Sequence, residues 1–172
     1  MKSELRYWDS NCFLGWLKNE PSKASLCEGV IQGAEKGEFL IVTSALTLVE
    51  VVKLKHELPI PATDAIRVQK FFESPFIRVR GVDRFLAEKA RELVWHYQFL
   101  KPKDAVHVAT AIDREIRIFD TFDEDLIRLS GRLGNPPMRI GKPDRAYQLS
   151  LMDQIEETKE HAILFRKFEK MS

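Results

Sequence analysis

The 172-residue chain has little of several features that mark specialised protein classes. It contains only two cysteines, Cys12 and Cys27, which are too few for a disulfide framework and do not form a Cys-x-x-Cys pair. No apolar run approaches the roughly 20 residues that a membrane-spanning helix needs. The first six residues also lack the apolar core of a signal peptide. We therefore expect a cytoplasmic protein with two buried thiols and no membrane partner.

Net charge is nearly absent as well. The 27 Lys and Arg residues against 26 Asp and Glu residues leave a formal charge of +1, so no overall basic field indicates a nucleic-acid partner. Internal repeats and low-complexity tracts are missing too. A composition of 44% hydrophobic and 31% charged residues is typical of a globular protein, and the length suits one domain with its own core.

Acidic residues, by contrast, stand in apolar surroundings at four places. Asp9 ends the run Leu-Arg-Tyr-Trp, and Glu50 lies within Leu-Val-Glu-Val-Val. Asp104 opens the segment Asp-Ala-Val-His-Val-Ala-Thr-Ala, and Asp123 lies just past the strand-like Ile-Arg-Ile-Phe. A carboxylate among aliphatic residues is costly unless it is paired, protonated or bound to a cation. The four acids therefore predict one shared cation site that the fold assembles.

Strand-like and helical segments alternate along the chain. Strands are predicted at 5–9, 39–43, 76–79 and 116–119, with a last edge strand at 138–140, and one of the intervening helices is predicted from Ser44 to Lys55. This alternation predicts an α/β domain with a mostly parallel central sheet of four to five strands. Sites in such sheets form at the carboxyl ends of the strands. The four acids follow strands or flank them, so they can reach one crevice.

Each acid also has a simpler interpretation. Asp9 and Asp123 can cap the helices that follow them, and Asp104 can stabilise the dipole of its own helix. Glu50 is harder to explain in this way, because apolar neighbours on almost every side argue against a solvent-facing position. His107 lies one helical turn after Asp104 on the same face, where it can either pack in the core or support the site.

Lysines near two of the acids suggest a basic rim. They are Lys53, Lys55, Lys101 and Lys103. An acidic, metal-filled pit with such a rim suits a phosphodiester backbone, although the same lysines can be ordinary solvated surface. They are therefore candidate RNA-binding residues.

Four segments resemble, in order, the motifs of the PIN-domain nucleases. Residues 7–14 resemble the opening strand with its Asp and Asn, and residues 43–51 resemble the Ser-containing loop and helix with the second acid. Residues 104–111 resemble the third motif, an Asp that opens an alanine-rich helix. Residues 121–126 resemble the fourth, Thr-x-Asp-x-Asp. The resemblance spans about residues 5 to 140 and is strongest to the toxin-type, VapC-like members.

The resemblance implies a three-layer α/β/α nuclease domain over residues 1–140. Residues 141–172 would then form a C-terminal helical extension that packs on this domain or on a partner. The implied metal-binding and catalytic acids are Asp9, Glu50, Asp104 and Asp123, with Asp125 as a variable fifth ligand and Ser44, Asn11 and His107 in support. Asp120 adds an acid just before the fourth motif, so the assignment among Asp120, Asp123 and Asp125 stays open.

An all-carboxylate site suits Mg²⁺ or Mn²⁺. The implied activity is endonucleolytic hydrolysis of RNA by water, which leaves a 5′-phosphate and a 3′-hydroxyl. The family also suggests a toxin with an antitoxin partner, and a homodimer. Two alternatives remain at this point: an RNA-processing or flap-type nuclease without an antitoxin, and a non-catalytic RNA- or protein-binding module on the same fold. The presence of all four acids argues against the binding module, which needs none of them.

Overall fold

The computed structural model describes residues 4–52 and 58–146 of the chain, in which strands and helices alternate. The strands are β1 (Glu4–Trp8), β2 (Phe39–Ser44), β3 (Ile77–Arg80), β4 (Ile118–Asp120) and β5 (Arg139–Gly141). The helices are α1 (Ser10–Leu17), α2 (Pro21–Glu35), α3 (Ala45–Glu50), α4 (Ala65–Phe72), α5 (Arg84–His96), α6 (Pro102–Asp113) and α7 (Glu124–Ile127). A short 3₁₀ turn, Ala62–Asp64, precedes α4.

The strands form one sheet in the order β3-β2-β1-β4-β5, and every described pair is parallel. Parallel pairing needs crossover connections, which the intervening segments supply. The strand order runs outward from β1 in both directions, so the connection reverses between β1 and β4. At such a switch point, the loops after the two strands diverge and leave a crevice at their carboxyl ends. The predicted parallel α/β class is confirmed, and the topology marks where a site is expected.

Hydrophobic cores cover both faces of the sheet. Successive side chains of a strand point to opposite faces, and β1 shows this with Tyr7 and Trp8, both fully buried. Tyr7 belongs to the core that includes α5, α6 and α7, whereas Trp8 belongs to the core that includes α1 and α2. Helices therefore lie on each side of the sheet, and the three-layer α/β/α arrangement is confirmed.

A buried ion pair joins the two strands at the switch point. The Asp120 carboxylate accepts hydrogen bonds from Arg6 Nε, from Arg6 Nη2 at 2.9 Å and from Trp8 Nε1 at 2.9 Å. The side chains of Arg6 and Asp120 are both fully buried. Burial raises the pKa of Asp120, and the Arg6 guanidinium and the Trp8 indole act against that rise. Both carboxylate oxygens of Asp120 therefore accept hydrogen bonds from groups inside the protein.

The helix predicted from Ser44 to Lys55 is shorter in the structure, because α3 ends at Glu50 and a turn follows. Residues 53–57 lie outside the described part. Leu48 and Val49 are 48% and 74% exposed, so these apolar neighbours of Glu50 face outward. The Glu50 side chain is only 17% exposed for a different reason: it turns toward α1 and α6.

The predicted C-terminal extension falls mostly beyond residue 146 and so lies outside the described residues. Its first residues, 141–146, are described, and one of them contacts the domain, since Arg145 Nη2 lies 2.6 Å from Glu38 Oε1. No helix in the described ranges is long and apolar enough to cross a bilayer.

Candidate metal centre

The four predicted acids lie on four elements around the carboxyl edge of the sheet. Asp9 directly follows β1, and Asp123 comes three residues after the end of β4. Glu50 ends the helix that follows β2, and Asp104 lies in the first turn of α6. β1 and β4 are neighbours in register, with Trp8 opposite Asp120. The loops that carry Asp9 and Asp123 therefore start side by side.

Asp9 is both a helix cap and a buried acid. Its Oδ1 accepts the backbone N–H groups of Asn11 at 3.1 Å and Cys12 at 3.3 Å, which is the geometry of an N-cap for α1. Its Oδ2 accepts a hydrogen bond of 2.5 Å from Thr121 Oγ1. Burial raises the pKa of Asp9 to about 6, although Thr121 and His107 act in the opposite direction. The cap interpretation is thus correct, and it does not account for the unfavourable burial of the charge.

A small polar network joins the loop after β1 to the loop after β4. Thr121 Oγ1 accepts the backbone N–H of Asp123 at 2.9 Å while it donates to Asp9. Asn11 donates to the same hydroxyl at 3.3 Å, and its Oδ1 accepts the N–H of Phe122 at 3.0 Å. Asn11 therefore supports the site by holding the second loop against the first, and Thr121 couples the positions of Asp9 and Asp123.

Glu50 is held by side chains from two helices. Its Oε2 accepts hydrogen bonds from Ser10 Oγ and from His107 Nε2, the latter at 2.8 Å. Its Oε1 lies 3.2 Å from the ammonium of Lys103. Burial alone would raise the pKa of Glu50, but His107, Ser10 and Lys103 together lower it to about 2. Because Ser10 follows Asp9 directly, this hydrogen bond also brings Glu50 next to the first acid.

Asp104 and Asp123 complete the arrangement from the other side. Burial and the Asp123 carboxylate raise the pKa of Asp104, and Glu50 adds to that rise, whereas Lys101 and His107 oppose it. The charges of Asp123 and Glu50 therefore act on Asp104. Asp123 Oδ1 accepts the N–H of Asp125 at 2.8 Å and so caps α7. Asp104 lies in the first turn of α6, where the helix dipole favours a negative charge, and its pKa is raised by burial and by the neighbouring carboxylates.

The structure separates the remaining candidates near the fourth motif. Asp120 is bound inside the protein by Arg6, as described above. Asp125 is about half exposed, and its carboxylate lies 3.1 Å from Arg128 Nη1. Ser44 is fully buried and caps α3 through its hydroxyl, which accepts the N–H of Leu46 at 3.2 Å. Its own N–H donates to the hydroxyl of Tyr7 at 3.1 Å.

Two of the four candidate RNA-binding lysines are described. Lys101 is the exposed N-cap residue of α6, and Lys103 is exposed, with its ammonium 3.2 Å from Glu50 Oε1. Lys53 and Lys55 lie outside the described residues. The two described lysines therefore border the acidic region at the start of α6.

The residues present fit a hard divalent cation. The candidate ligands are carboxylate oxygens, the donors that Mg²⁺ and Mn²⁺ prefer, and the charge of Asp104 is disfavoured by two nearby carboxylates that a cation would offset. Within residues 4–52 and 58–146, no group of three or more His, Cys, Asp or Glu side chains is close enough together to hold a metal ion. Three of the acids, Asp9, Glu50 and Asp123, are thus joined through Ser10 and Thr121, and the acids do not close around one point.

Sequence reasoning assigned no site role to three residues that the structure connects to the acids. Ser10 and Thr121 had a readable signal, because each is a hydroxyl residue inside one of the acidic motifs, at 7–14 and 121–126. Tyr7 had none, since a tyrosine inside a strand is indistinguishable from any other core residue until the fold brings His107 to its hydroxyl, 2.8 Å away.

The fold is a parallel three-layer sheet with acidic residues around its switch point, and the comparison of the sequence with protein families identifies the family. The PIN domain matches residues 6–132, about three quarters of the chain. The protein therefore belongs to the PIN-domain family, whose members are generally metal-dependent nucleases that act on nucleic acids. No curated protein matches the chain.

Proposed function

We propose that the protein is an endoribonuclease that depends on Mg²⁺ or Mn²⁺ and hydrolyses RNA phosphodiesters. One observation carries the proposal. Acids from four separate elements lie around the carboxyl ends of β1, β2 and β4, and hydrogen bonds through Ser10 and Thr121 connect three of them. A binding module would gain nothing from placing carboxylates where their charges disfavour one another.

The proposal gives each acid a distinct task. Asp9 and Asp104 would hold the metal directly, Glu50 would hold it or orient water, and Asp123 would complete a second site with Asp125 as a variable fifth ligand. A divalent ion held there would lower the pKa of a water molecule and would stabilise charge on the phosphoryl oxygens. The capping bonds are made by Oδ1 of Asp9 and of Asp123 and would keep both side chains oriented. Oδ2 of each residue would retain an acceptor position for the ion.

Lysines at the start of α6 would bind the RNA backbone. Lys101, the N-cap residue of α6, and Lys103, in its first turn, bring positive charges to Asp104 and Glu50. The acidic edge would otherwise repel a polyanion, so basic groups beside it would favour docking of the backbone at the catalytic edge. Lys53 and Lys55 would extend this rim.

The decisive experiment is a cleavage assay with labelled single-stranded RNA. We expect the purified wild-type chain to cleave RNA with Mg²⁺ or Mn²⁺ and to be inactive with EDTA. We expect the Asp104→Asn variant to be inactive under both conditions. Asp64→Asn is the matched control, because Asp64 pairs with Arg67 at the surface. Equal cleavage by the wild type and Asp104→Asn would point to a contaminating nuclease and contradict the proposal.

The chemistry of the cut is tested with the same assay. Because water is the proposed nucleophile, the products should carry a 5′-phosphate and a 3′-hydroxyl, and a 2′-deoxy substitution at the cut site should leave cleavage largely intact. Loss of cleavage at the substituted position, together with 2′,3′-cyclic ends on ordinary RNA, would exclude this mechanism.

We further propose that the protein is a cytoplasmic, VapC-like toxin whose partner is an antitoxin protein, and that it acts as a homodimer. An apolar groove beside the end of α3 supports a protein partner. It has a volume of about 640 Å³, and its lining includes Val51, Ile60, Val68 and Phe72. An amphipathic helix is the kind of segment that such grooves accept. Residues 141–172 would act as a helical extension on the domain or on this partner.

The toxin role has its own test. Induced expression of the wild type should arrest growth, Asp104→Asn should not, and co-expression of a small adjacent reading frame should restore growth. If the wild type is no more harmful than Asp104→Asn, the toxin role fails while the nuclease activity is judged separately by the cleavage assay. Sedimentation of the purified chain tests the homodimer.

A further inference from the structure

The two carboxylate oxygens of Glu50 have different surroundings. Oε2 faces the protein interior, where Ser10 and His107 both donate to it. Oε1 faces the ammonium of Lys103, a side chain that is 68% exposed. Oε2 is thus bonded to buried donors, whereas Oε1 faces the ammonium of an exposed side chain.

His107 is nearly fully buried and makes a hydrogen bond through each of its ring nitrogens. Its side chain is 3% exposed, with Nε2 at 2.8 Å from Glu50 and Nδ1 at 2.8 Å from the hydroxyl of Tyr7. Tyr7 is fully buried and stacks on Phe119, with ring centroids 4.6 Å apart. A stacked tyrosine with a buried hydroxyl has little freedom to move, so the imidazole ring is fixed from both sides.

If the imidazole ring of His107 is neutral, the donors and acceptors around it determine which of its nitrogens carries the proton. Glu50 is an acceptor, so His107 Nε2 must carry the proton, and Nδ1 must then accept one. The Tyr7 hydroxyl donates to Nδ1 and accepts the backbone N–H of Ser44, which lies 3.1 Å away. The other tautomer would set an unprotonated Nε2 against a carboxylate oxygen.

We propose that Tyr7 and His107 are positioning residues that lock Oε2 of Glu50, so that Oε1 alone is presented to the metal. The inference rests on the metal centre proposed above and deepens it. Partners behind metal-binding carboxylates are known to matter, and their loss typically costs about 10–100-fold in metal affinity or activity. Lys103 would then leave Oε1 when the ion binds, which frees its ammonium for RNA.

The test measures Mn²⁺ binding to the full chain by calorimetry, with metal alone as the ligand. His107→Leu should weaken binding by roughly 10–100-fold. His107→Gln should recover most of that loss, because its amide nitrogen can donate from nearly the position of Nε2. Tyr7→Phe should lose affinity to an intermediate degree. His96→Leu and Tyr97→Phe are the matched controls on α5 and at its end, and they should bind as the wild type does.

A second readout does not use metal and covers the case in which His107→Leu fails to fold. Nitrogen-15 NMR of the metal-free chain, labelled at histidine, should show Nε2 of His107 protonated, and Tyr7→Phe should shift the Nδ1 signal. An unprotonated Nε2 in the wild type would overturn the proposal. Equal Mn²⁺ affinity in the wild type and Tyr7→Phe would do so as well, as would equal losses in His107→Gln and His107→Leu, which indicate packing alone.

The two proposals fail in different ways. If the wild type does not bind Mn²⁺ and Asp104→Asn changes nothing, the metal centre itself is wrong, and this inference falls with it. If the wild type binds Mn²⁺ and Asp104→Asn abolishes binding while the His107 and Tyr7 variants bind normally, only the positioning role is wrong.

Discussion

Replacing Asp9 with Asn should stabilise the metal-free protein while it destroys the proposed activity. Burial raises the pKa of Asp9 from an ordinary value of 3.8 to about 6, so the folded state resists the charge that the unfolded state accepts freely. A difference of about two pKa units corresponds to about 3 kcal/mol at pH 7, at roughly 1.4 kcal/mol per unit. Asn keeps the capping carbonyl for α1 and carries no charge, so most of this penalty disappears.

The pH dependence fixes the sign of the effect. Between about pH 4 and pH 6 the folded state binds more protons at Asp9 than the unfolded state does, so wild-type stability falls as the pH rises through this window. The advantage of Asp9→Asn should therefore be largest at pH 7 and shrink toward pH 4. For a chain of this size, 3 kcal/mol corresponds to a melting-temperature gain of roughly 6–12 °C as an upper bound.

The measurement is urea unfolding in EDTA at pH 7 and pH 4, with Asp64→Asn as the surface control. That control should stay within about 0.5 kcal/mol of the wild type. Addition of Mn²⁺ should reverse the order, because a ligand that binds only the folded wild type stabilises it. If Asp9→Asn is no more stable than the wild type at pH 7, or if its advantage does not depend on pH, the reasoning about buried charge is refuted.

Three further variants test neighbouring parts of the site. Glu50→Gln should instead destabilise the metal-free protein. The pKa of Glu50 is lowered to about 2, so its charge stabilises the fold above about pH 4.5. Loss of that charge should cost about 1–2 kcal/mol at pH 7 in EDTA, and less as the pH falls toward 2. Asp120→Asn should lower the free energy of unfolding in urea by about 3–5 kcal/mol, because it leaves the buried Arg6 charge without its partner carboxylate. It should leave Mn²⁺ affinity unchanged, and weakened Mn²⁺ binding would make Asp120 a ligand. Thr121→Val removes a hydrogen bond that lowers the pKa of Asp9, so the acid limb of the rate profile for RNA cleavage should move to higher pH. An unmoved limb would mean that Asp9 does not limit the rate.

Local sequence patterns predicted much of the fold. The apolar run from Phe39 predicted a strand buried on both faces because parallel sheets bury both faces, and β2 is such a strand. Asp83 was readable as a helix cap, and it accepts the N–H of Leu86 at 2.9 Å at the start of α5. Such signals act over a few residues, so sequence contains them fully.

The length of α3 and the surroundings of Glu50 were not readable in the same way. An apolar flank predicts burial only if the fold covers it, and here Leu48 and Val49 are left facing outward. The enclosure of Glu50 comes from Ser10 and His107, which lie 40 and 57 residues away in the chain. No window of sequence contains that information.

By itself, the sequence determined the alternation of strands and helices, the four acidic motifs and the resemblance of those motifs to one family, because each is a property of residues close together in the chain. Tertiary structure alone decided that Asp120 pairs with Arg6, that Thr121 joins Asp9 to Asp123, and that Tyr7 reaches His107. These contacts bridge 100 residues or more in all but one case, and they exist only because parallel strands from distant parts of the chain end at the same edge of the sheet.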